Sequence, residues 1–201
     1  MSRFHRWLVE SAAGLSLILT LAACSHLPGG EPDVPAVKLK LRSEPSAFRL
    51  EGRVSVKAGE ESFSGSLVWR RDAVAEELLL RTPLGQGIAE LRGGLAGMEL
   101  KDAEGRRYFA DDADALVRQA LGIELPLRGL VWWVVGLPRP GSVYQALPDA
   151  AGHLGELQQD GWQIHFSRYE ERNGQPLPGK LVAQRGDELE VRLVADVWEL
   201  P

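Results

Sequence analysis

Phe48-Arg49-Leu50-Glu51-Gly52-Arg53-Val54-Ser55-Val56-Lys57 and, a few residues on, Phe63-Ser64-Gly65-Ser66-Leu67-Val68-Trp69 decide the fold. In the first run Phe48, Leu50, Gly52, Val54 and Val56 alternate with Arg49, Glu51, Arg53, Ser55 and Lys57. A period of two places one set against a core and the other in water, the pattern of a half-buried antiparallel strand. In the second run Phe63, Gly65, Leu67 and Trp69 repeat that pattern against Ser62, Ser64, Ser66 and Val68. Gly59-Glu60-Glu61 joins the two as a hairpin.

Toward the C-terminus the same rhythm continues. Strands are expected at Glu76–Arg81, Gly87–Gly93, Met98–Asp102 and Arg106–Ala110, and then at Val143–Leu147, Leu154–Gln158, Gly161–Tyr169, Lys180–Arg185 and Glu188–Trp198. Closely spaced strands with short polar turns indicate a meander that curls into a barrel or half-barrel. Two helices interrupt it. Asp111, Asp112 and Asp114 precede Ala115, Leu116, Val117, Ala120 and Leu121, and Gly122 ends the run. Acidic residues at that place cap free amides and oppose the helix dipole. The glycine and distal glutamate of a calcium loop are missing. A second helix is expected from Pro126 to Gly136, before Pro138. It is apolar nearly all round, and its adjacent Trp132 and Trp133 lie about 100° apart, so both are buried only under broad cover. Such a helix suits the open side of a curved sheet.

Toward the N-terminus the reading changes character. Arg3 and Arg6 flank a short apolar segment from Ala12 to Ala23, the length of a signal h-region and too short to span a bilayer. It ends in Leu21-Ala22-Ala23-Cys24, with the chain's only cysteine, and looks like a bacterial lipobox. Residues 1–23 are therefore expected to be a lipoprotein signal peptide and Cys24 the lipidated first residue. The following 24–46 carry Pro28, Gly29, Gly30, Pro32, Pro35 and Pro45, a tether too proline-rich for a long helix. Within it Val37, Leu39 and Leu41 alternate with Lys38, Lys40 and Arg42, either as an edge strand or as charges near headgroups. Residues 47–201 form the folded domain. The likeness to bacterial lipoproteins implies that Ser25, standing where an aspartate commonly retains them at the inner membrane, is permissive for the outer one.

The chain carries 23 basic and 28 acidic residues and is 44% apolar. That balance argues against nucleic acid, which demands a clustered basic face. It also argues against adhesion to anionic lipid through charge, so the membrane link is covalent and apolar. Catalytic constellations are scarce. His153 and His165 are the domain's two histidines, and no serine sits in a nucleophile elbow. Gly85-Gln86-Gly87 lacks the rest of a dinucleotide loop. Nothing supports an enzyme or a metal site, and no cofactor is expected.

Thr82-Pro83-Leu84-Gly85 is a type I turn by its proline and glycine. Leu84 would project from the hairpin end, where polar residues are usual, or fold back on a neighbouring strand.

Phe48-x-Leu50-x-Gly52-Arg53-Val54, Phe63-Ser64-Gly65-x-Leu67-x-Trp69 and Leu78-Leu79-Leu80-x-x-Pro83-Leu84-Gly85 resemble the LolB family of outer-membrane lipoprotein receptors. Tyr108-x-Ala110-Asp111-Asp112, Leu121-Gly122-x-x-Leu125-Pro126-Leu127, Trp133-x-x-Gly136-Leu137-Pro138 and Gln159-Asp160-Gly161-Trp162 extend the likeness, together with Leu177-Pro178 and Trp198. The resemblance implies a mainly β fold with a few helices: a strongly curved, unclosed antiparallel half-barrel of about 11 strands, covered by helices, with an apolar cavity for acyl chains. It implies a receptor that takes triacylated lipoproteins from a LolA-type periplasmic carrier and places them in outer-membrane phospholipid, facing the periplasm, without nucleotide hydrolysis. A monomer is expected, though the sequence itself does not fix the oligomeric state. Pro83, Leu84 and Gly85 then become the membrane-delivery loop. Leu50, Val54, Val56, Leu67, Trp69, Leu80 and Trp132 are expected to line the cavity, the alternative being a solid core. Two other readings compete: a structural lipoprotein docking an envelope assembly through a sheet edge, and a hydrolase with an apolar tunnel. The first needs no cavity. The second needs a placed nucleophile and base.

Overall fold

The alternation at Phe48 becomes β1 (Phe48–Ala58), and the two-residue turn Gly59–Glu60 returns it as β2 (Glu61–Arg71). The meander continues through β3 (Ala75–Arg81), β4 (Gly87–Gly94), β5 (Gly97–Asp102) and β6 (Arg107–Ala110). Helices α1 (Ala113–Leu121) and α2 (Leu127–Trp133) follow, and then β7 (Tyr144–Pro148), β8 (Leu154–Gln159) and β9 (Trp162–Ser167). A small hairpin of β10 (Glu170–Arg172) and β11 (Gln175–Leu177) precedes β12 (Lys180–Arg185) and β13 (Leu189–Glu199). These elements come from a computed structural model describing residues 38–94 and 97–201. The leader, Cys24 and the tether as far as residue 37 lie outside the described residues.

Eleven strands form one antiparallel sheet in the order β6-β5-β4-β3-β2-β1-β13-β12-β9-β8-β7. β6 and β7 have one partner each, so the sheet is not closed. Its two wings nevertheless share one core: Leu91 and Leu100 from one side and Leu157 and Ile164 from the other belong to the same buried cluster. The sheet is therefore curled, with its apolar face inside. Both glycines singled out in the opening strands sit where another strand's backbone comes too close for a side chain. A Cβ on Gly52 would overlap the Val194 carbonyl, and one on Gly65 the Arg81 carbonyl.

The helices bridge the opening. α1 lies against β5 and β6. Asp112 caps it by accepting from the amides of Asp114 (2.8 Å) and Ala115 (3.4 Å), and Gly122 closes it with φ +71°. α2 reaches the other wing. The Trp133 indole N–H donates to Gln159 Oε1 at 2.9 Å, and its ring tilts against Trp162 at 6.2 Å. α2 is shorter than expected. Pro126 stands just before it with non-helical torsions, and the chain leaves the helix after Trp133, turning at Gly136 with φ +73°.

Ahead of β1 the described tether residues form no strand. They run as an irregular strap along the sheet end where β1 starts. Leu39 packs on the core, the Lys40 amide donates to Gly152 O at 2.8 Å, and Arg42 donates from Nε to Val135 O at 3.0 Å. Folded contacts thus begin upstream of residue 47.

Candidate acyl-chain cavity and hairpin tip

The concave side of the sheet is solid at one end and hollow at the other. At the solid end Leu50 pairs with both Trp69 and Trp198 across the strands. Phe48 meets those two indoles edge-on, at 6.0 and 5.8 Å. The aromatic volume leaves no space there, and Leu50 has no exposed surface.

A few residues along, the side chains shorten to Val54 and Val56, and a cavity of about 250 Å³ opens. Val54, Val56, Leu67, Trp69 and Leu80 line it, with Phe63, Leu78, Ile88, Val191 and Leu193 completing the sheet side. The helical cover supplies the roof: Leu121, Ile123, Leu125, Leu127 and Leu130. Polar side chains enter only at Glu61 and Ser62, both exposed, by the β1–β2 turn. Two expected lining residues fall elsewhere. Leu50 is packed inside the aromatic end, and Trp132 is half-buried under the Arg71 guanidinium, 5.3 Å from its ring centre. Neither lines the hollow: the face of β1 is filled by indoles near Phe48, where Leu50 lies, and by small aliphatic groups farther along, while the Trp132 ring in α2 lies against Arg71 instead.

Sequence reasoning missed the roof. Leu121, Ile123, Leu125 and Leu127 alternate like a strand although they run from the last residue of α1 through a loop to the first residue of α2. The alternation is visible in the sequence, but it is flanked on both sides by helix signals that mask it. The intervening Glu124 faces away and is bound by Arg118 at 3.5 Å and by Arg185 of β12. Beyond Leu125 lies a second hollow of about 320 Å³, walled partly by Trp133 and Trp162 but mostly by charged side chains, where Arg128 pairs with Asp114 (3.1 Å) and Arg139 with Asp160 (2.9 Å). These pairs lie at the surface, where each contributes little stability.

Glu76, on the same face of β3 as Leu78 and Leu80, is an ionisable group on the apolar side of the sheet. The Trp69 indole N–H donates to Glu76 Oε1 at 2.9 Å, and burial raises the Glu76 pKa despite that bond and nearby Arg71. His153 sits against Asp149 (3.2 Å) and Tyr169, while His165 faces outward. No group of three His, Cys, Asp or Glu among the described residues is placed to hold a metal ion.

The Thr82–Gly85 turn closes the β3–β4 hairpin as its sequence predicts. The Gly85 amide donates to Thr82 O at 2.9 Å, the Thr82 amide to Gln86 O at 2.8 Å, and Gly85 adopts φ +85°. This three-residue loop is a type I turn followed by a left-handed glycine. Pro83 and Gly85 are exposed, and Leu84 is 89% exposed. It does not fold back. Because Arg81 pairs with Ser66, the tip stands at the same end of the sheet as Glu61 and the cavity rim.

A curled, unclosed sheet with an apolar hollow under a helical roof defines an open half-barrel. The fold recurs in a putative outer membrane lipoprotein-sorting protein domain from Vibrio parahaemolyticus, with a TM-score of 0.54 at 8% identity over 77% of this chain and 85% of that one. It recurs also in a LolA superfamily protein from Nitrosomonas europaea, with a TM-score of 0.51 at 6% identity over 80% and 88%. Residues 46–198 match the family model of the outer membrane lipoprotein LolB. Proteins called outer-membrane lipoprotein LolB are 40% identical in Pseudomonas paraeruginosa, covering 98% of this chain and 97% of that one, and 35% identical in Ectopseudomonas mendocina, covering 92% and 93%. The chain belongs to the LolB family.

Proposed function

We propose that this chain receives triacylated lipoproteins from a soluble LolA-type carrier at the periplasmic face of the outer membrane and inserts them into its inner leaflet. The observation that carries this reading is the apolar cavity beside an exposed leucine. Residues 1–23 are its leader, acylated Cys24 its anchor and 24–46 its tether, and it works as a monomer.

The physical task is to keep hydrocarbon out of water. Exposing one acyl chain costs on the order of 10 kcal/mol, at about 0.8 kcal/mol per methylene. An aliphatic hollow without convergent polar groups binds by burial alone, so it accepts many cargoes and holds none by a directional bond. Transfer then needs no nucleotide, only a descending order of affinities from carrier to cavity to bilayer. No step calls for a nucleophile, a base or a metal. The covalent anchor keeps acceptor membrane at high local concentration. Leu84, at the rim end, enters the lipid surface and opens the way out.

The test is Leu84→Glu in the full lipidated chain, made in a Gram-negative host depleted of its own receptor. A reporter lipoprotein should accumulate on the variant and fail to reach the outer membrane. Normal delivery would refute the role of Leu84. Absence of any reporter on the parent protein would refute the cavity reading and favour a docking lipoprotein.

A further inference from the structure

Leu84 is delivered to its place by a backbone crossing three residues earlier, and that crossing depends on a glycine in the neighbouring strand. Arg81, the last residue of β3, passes β2 beside Gly65. A Cβ on Gly65 would overlap the Arg81 carbonyl oxygen, stand 3.2 Å from its carbon, and meet Phe63 Cζ at 2.7 Å. Only hydrogen fits between these groups. At the same point the β3–β4 register slips: Leu80 faces Ala89 but Arg81 faces Gly87, leaving Ile88 over as the extra residue of a bulge. Bulges bend and twist the strand that carries them. The hairpin tip therefore leaves the sheet at a bulge pinned against Gly65. The pinned point adjoins the cavity, because Phe63 and Ile88 both line it.

We infer that Gly65 is a positioning residue for membrane delivery: its missing side chain lets the Arg81 backbone close in and so sets the direction in which Leu84 points. This rests on the delivery reading of Leu84 given above. A methyl group at Gly65 displaces the Arg81 carbonyl, and the rigid turn beyond carries that displacement to the tip.

Gly52 supplies a matched control. It too lies at a register slip, between Glu51 and Gly52, and a Cβ there would overlap the Val194 carbonyl and stand 3.1 Å from its carbon. The steric insult is alike, but it falls between β1 and β13, away from the hairpin.

The experiment compares Gly65→Ala, Gly52→Ala and Leu84→Glu in the full lipidated chain. It reads reporter lipoprotein bound to the receptor, reporter delivered to the outer membrane per folded receptor, and the melting temperature. In a second set Leu84→Cys carries an environment-sensitive fluorophore that reports lipid contact. Both glycine variants should melt lower. Gly65→Ala should load reporter within about twofold of the parent yet deliver it about tenfold less, with fluorophore contact reduced, while Gly52→Ala delivers normally. Equal delivery by the two glycine variants overturns the inference. If Leu84→Glu itself delivers normally, the parent reading of Leu84 fails instead. If Gly65→Ala does not fold, one glycine is inserted after Arg81 and one after Gln86, which keeps the strands paired but inverts the tip with Gly65 intact. Delivery must then fall as well, and undiminished delivery counts against the inference.

Discussion

At the scale of single residues, Glu76 is a carboxyl group on the apolar side of the sheet whose charge should show in the pH dependence of stability. Glu76 hydrogen-bonds the Trp69 indole and is pushed above the ordinary carboxylate range chiefly by burial. A raised carboxyl pKa means that the folded state holds its proton more tightly than the unfolded one. Stability from this group is thus greatest in acid and falls as pH rises from the ordinary value through the raised one. Glu76→Gln keeps an acceptor for the indole and removes the titration. The variant should match the parent in acid and be the more stable of the two at neutral pH. Urea unfolding across that range checks it, and a difference that grows toward acid would contradict the assignment. Other carboxylates act in the opposite sense. Asp160 is held low by the Arg139 guanidinium and Asp72 by the amides of Val74 and Ala75, so their contribution is lost on acidification. Comparing one substitution with its parent isolates Glu76 from them.

At the scale of elements, the cover depends on how α1 begins. Asp112 supplies the cap, and its other oxygen lies 3.4 Å from Arg128 of α2. Asp112→Ala should cost about 1 kcal/mol, nearly all from the cap because the ion pair is exposed. Urea denaturation measures it, and a loss below a few tenths would show that the cap does not hold the helix. This cap was legible in the sequence, as were the eleven strands of the sheet, because acidic residues before an apolar run and strict alternation have direct physical causes. The β10–β11 hairpin was not read, although Asn173-Gly174 adopts φ +49° and +71° and that pair is a strong turn signal. Glu170-Glu171-Arg172 has no apolar alternation to announce a strand, and its three residues are exposed. The end of α2 was overestimated for a related reason. Val134 and Val135 are buried like helical residues, and burial alone does not say whether the backbone has stopped turning. The division of Leu50 from Val54 was out of reach, since both occupy one face of β1. Which end of that face is filled depends on Trp69 and Trp198, brought there by strands from opposite ends of the chain.

At the scale of the whole molecule, the hollow is small for its task. About 250 Å³ lies below the roughly 300–1,000 Å³ of pockets that enclose drug-sized ligands, and a triacylated anchor is bulkier still. On the proposed function, three chains need more room than this hollow offers, and the roof is the part expected to give. The sheet is held by ladder hydrogen bonds on both sides of nearly every strand, so the yielding part is the segment from Leu121 to Leu127. It is fastened on its outer side through Glu124 to Arg185 and Arg118. Exposed pairs of this kind stabilise by about 0–1 kcal/mol, weak enough to break and reform as cargo enters. If the roof swings, tying it to β12 should stop loading without touching the cavity wall. Glu124→Cys together with Arg185→Cys, bridged by a short reducible cross-linker, leaves every lining residue in place. The bridged full-length protein should take up a fluorescent triacylated lipopeptide at least about tenfold more weakly than the unbridged form, and reduction of the bridge should restore uptake. Undiminished uptake with the bridge intact would mean that the chains enter by another path, past Glu61 and Ser62 with the roof at rest.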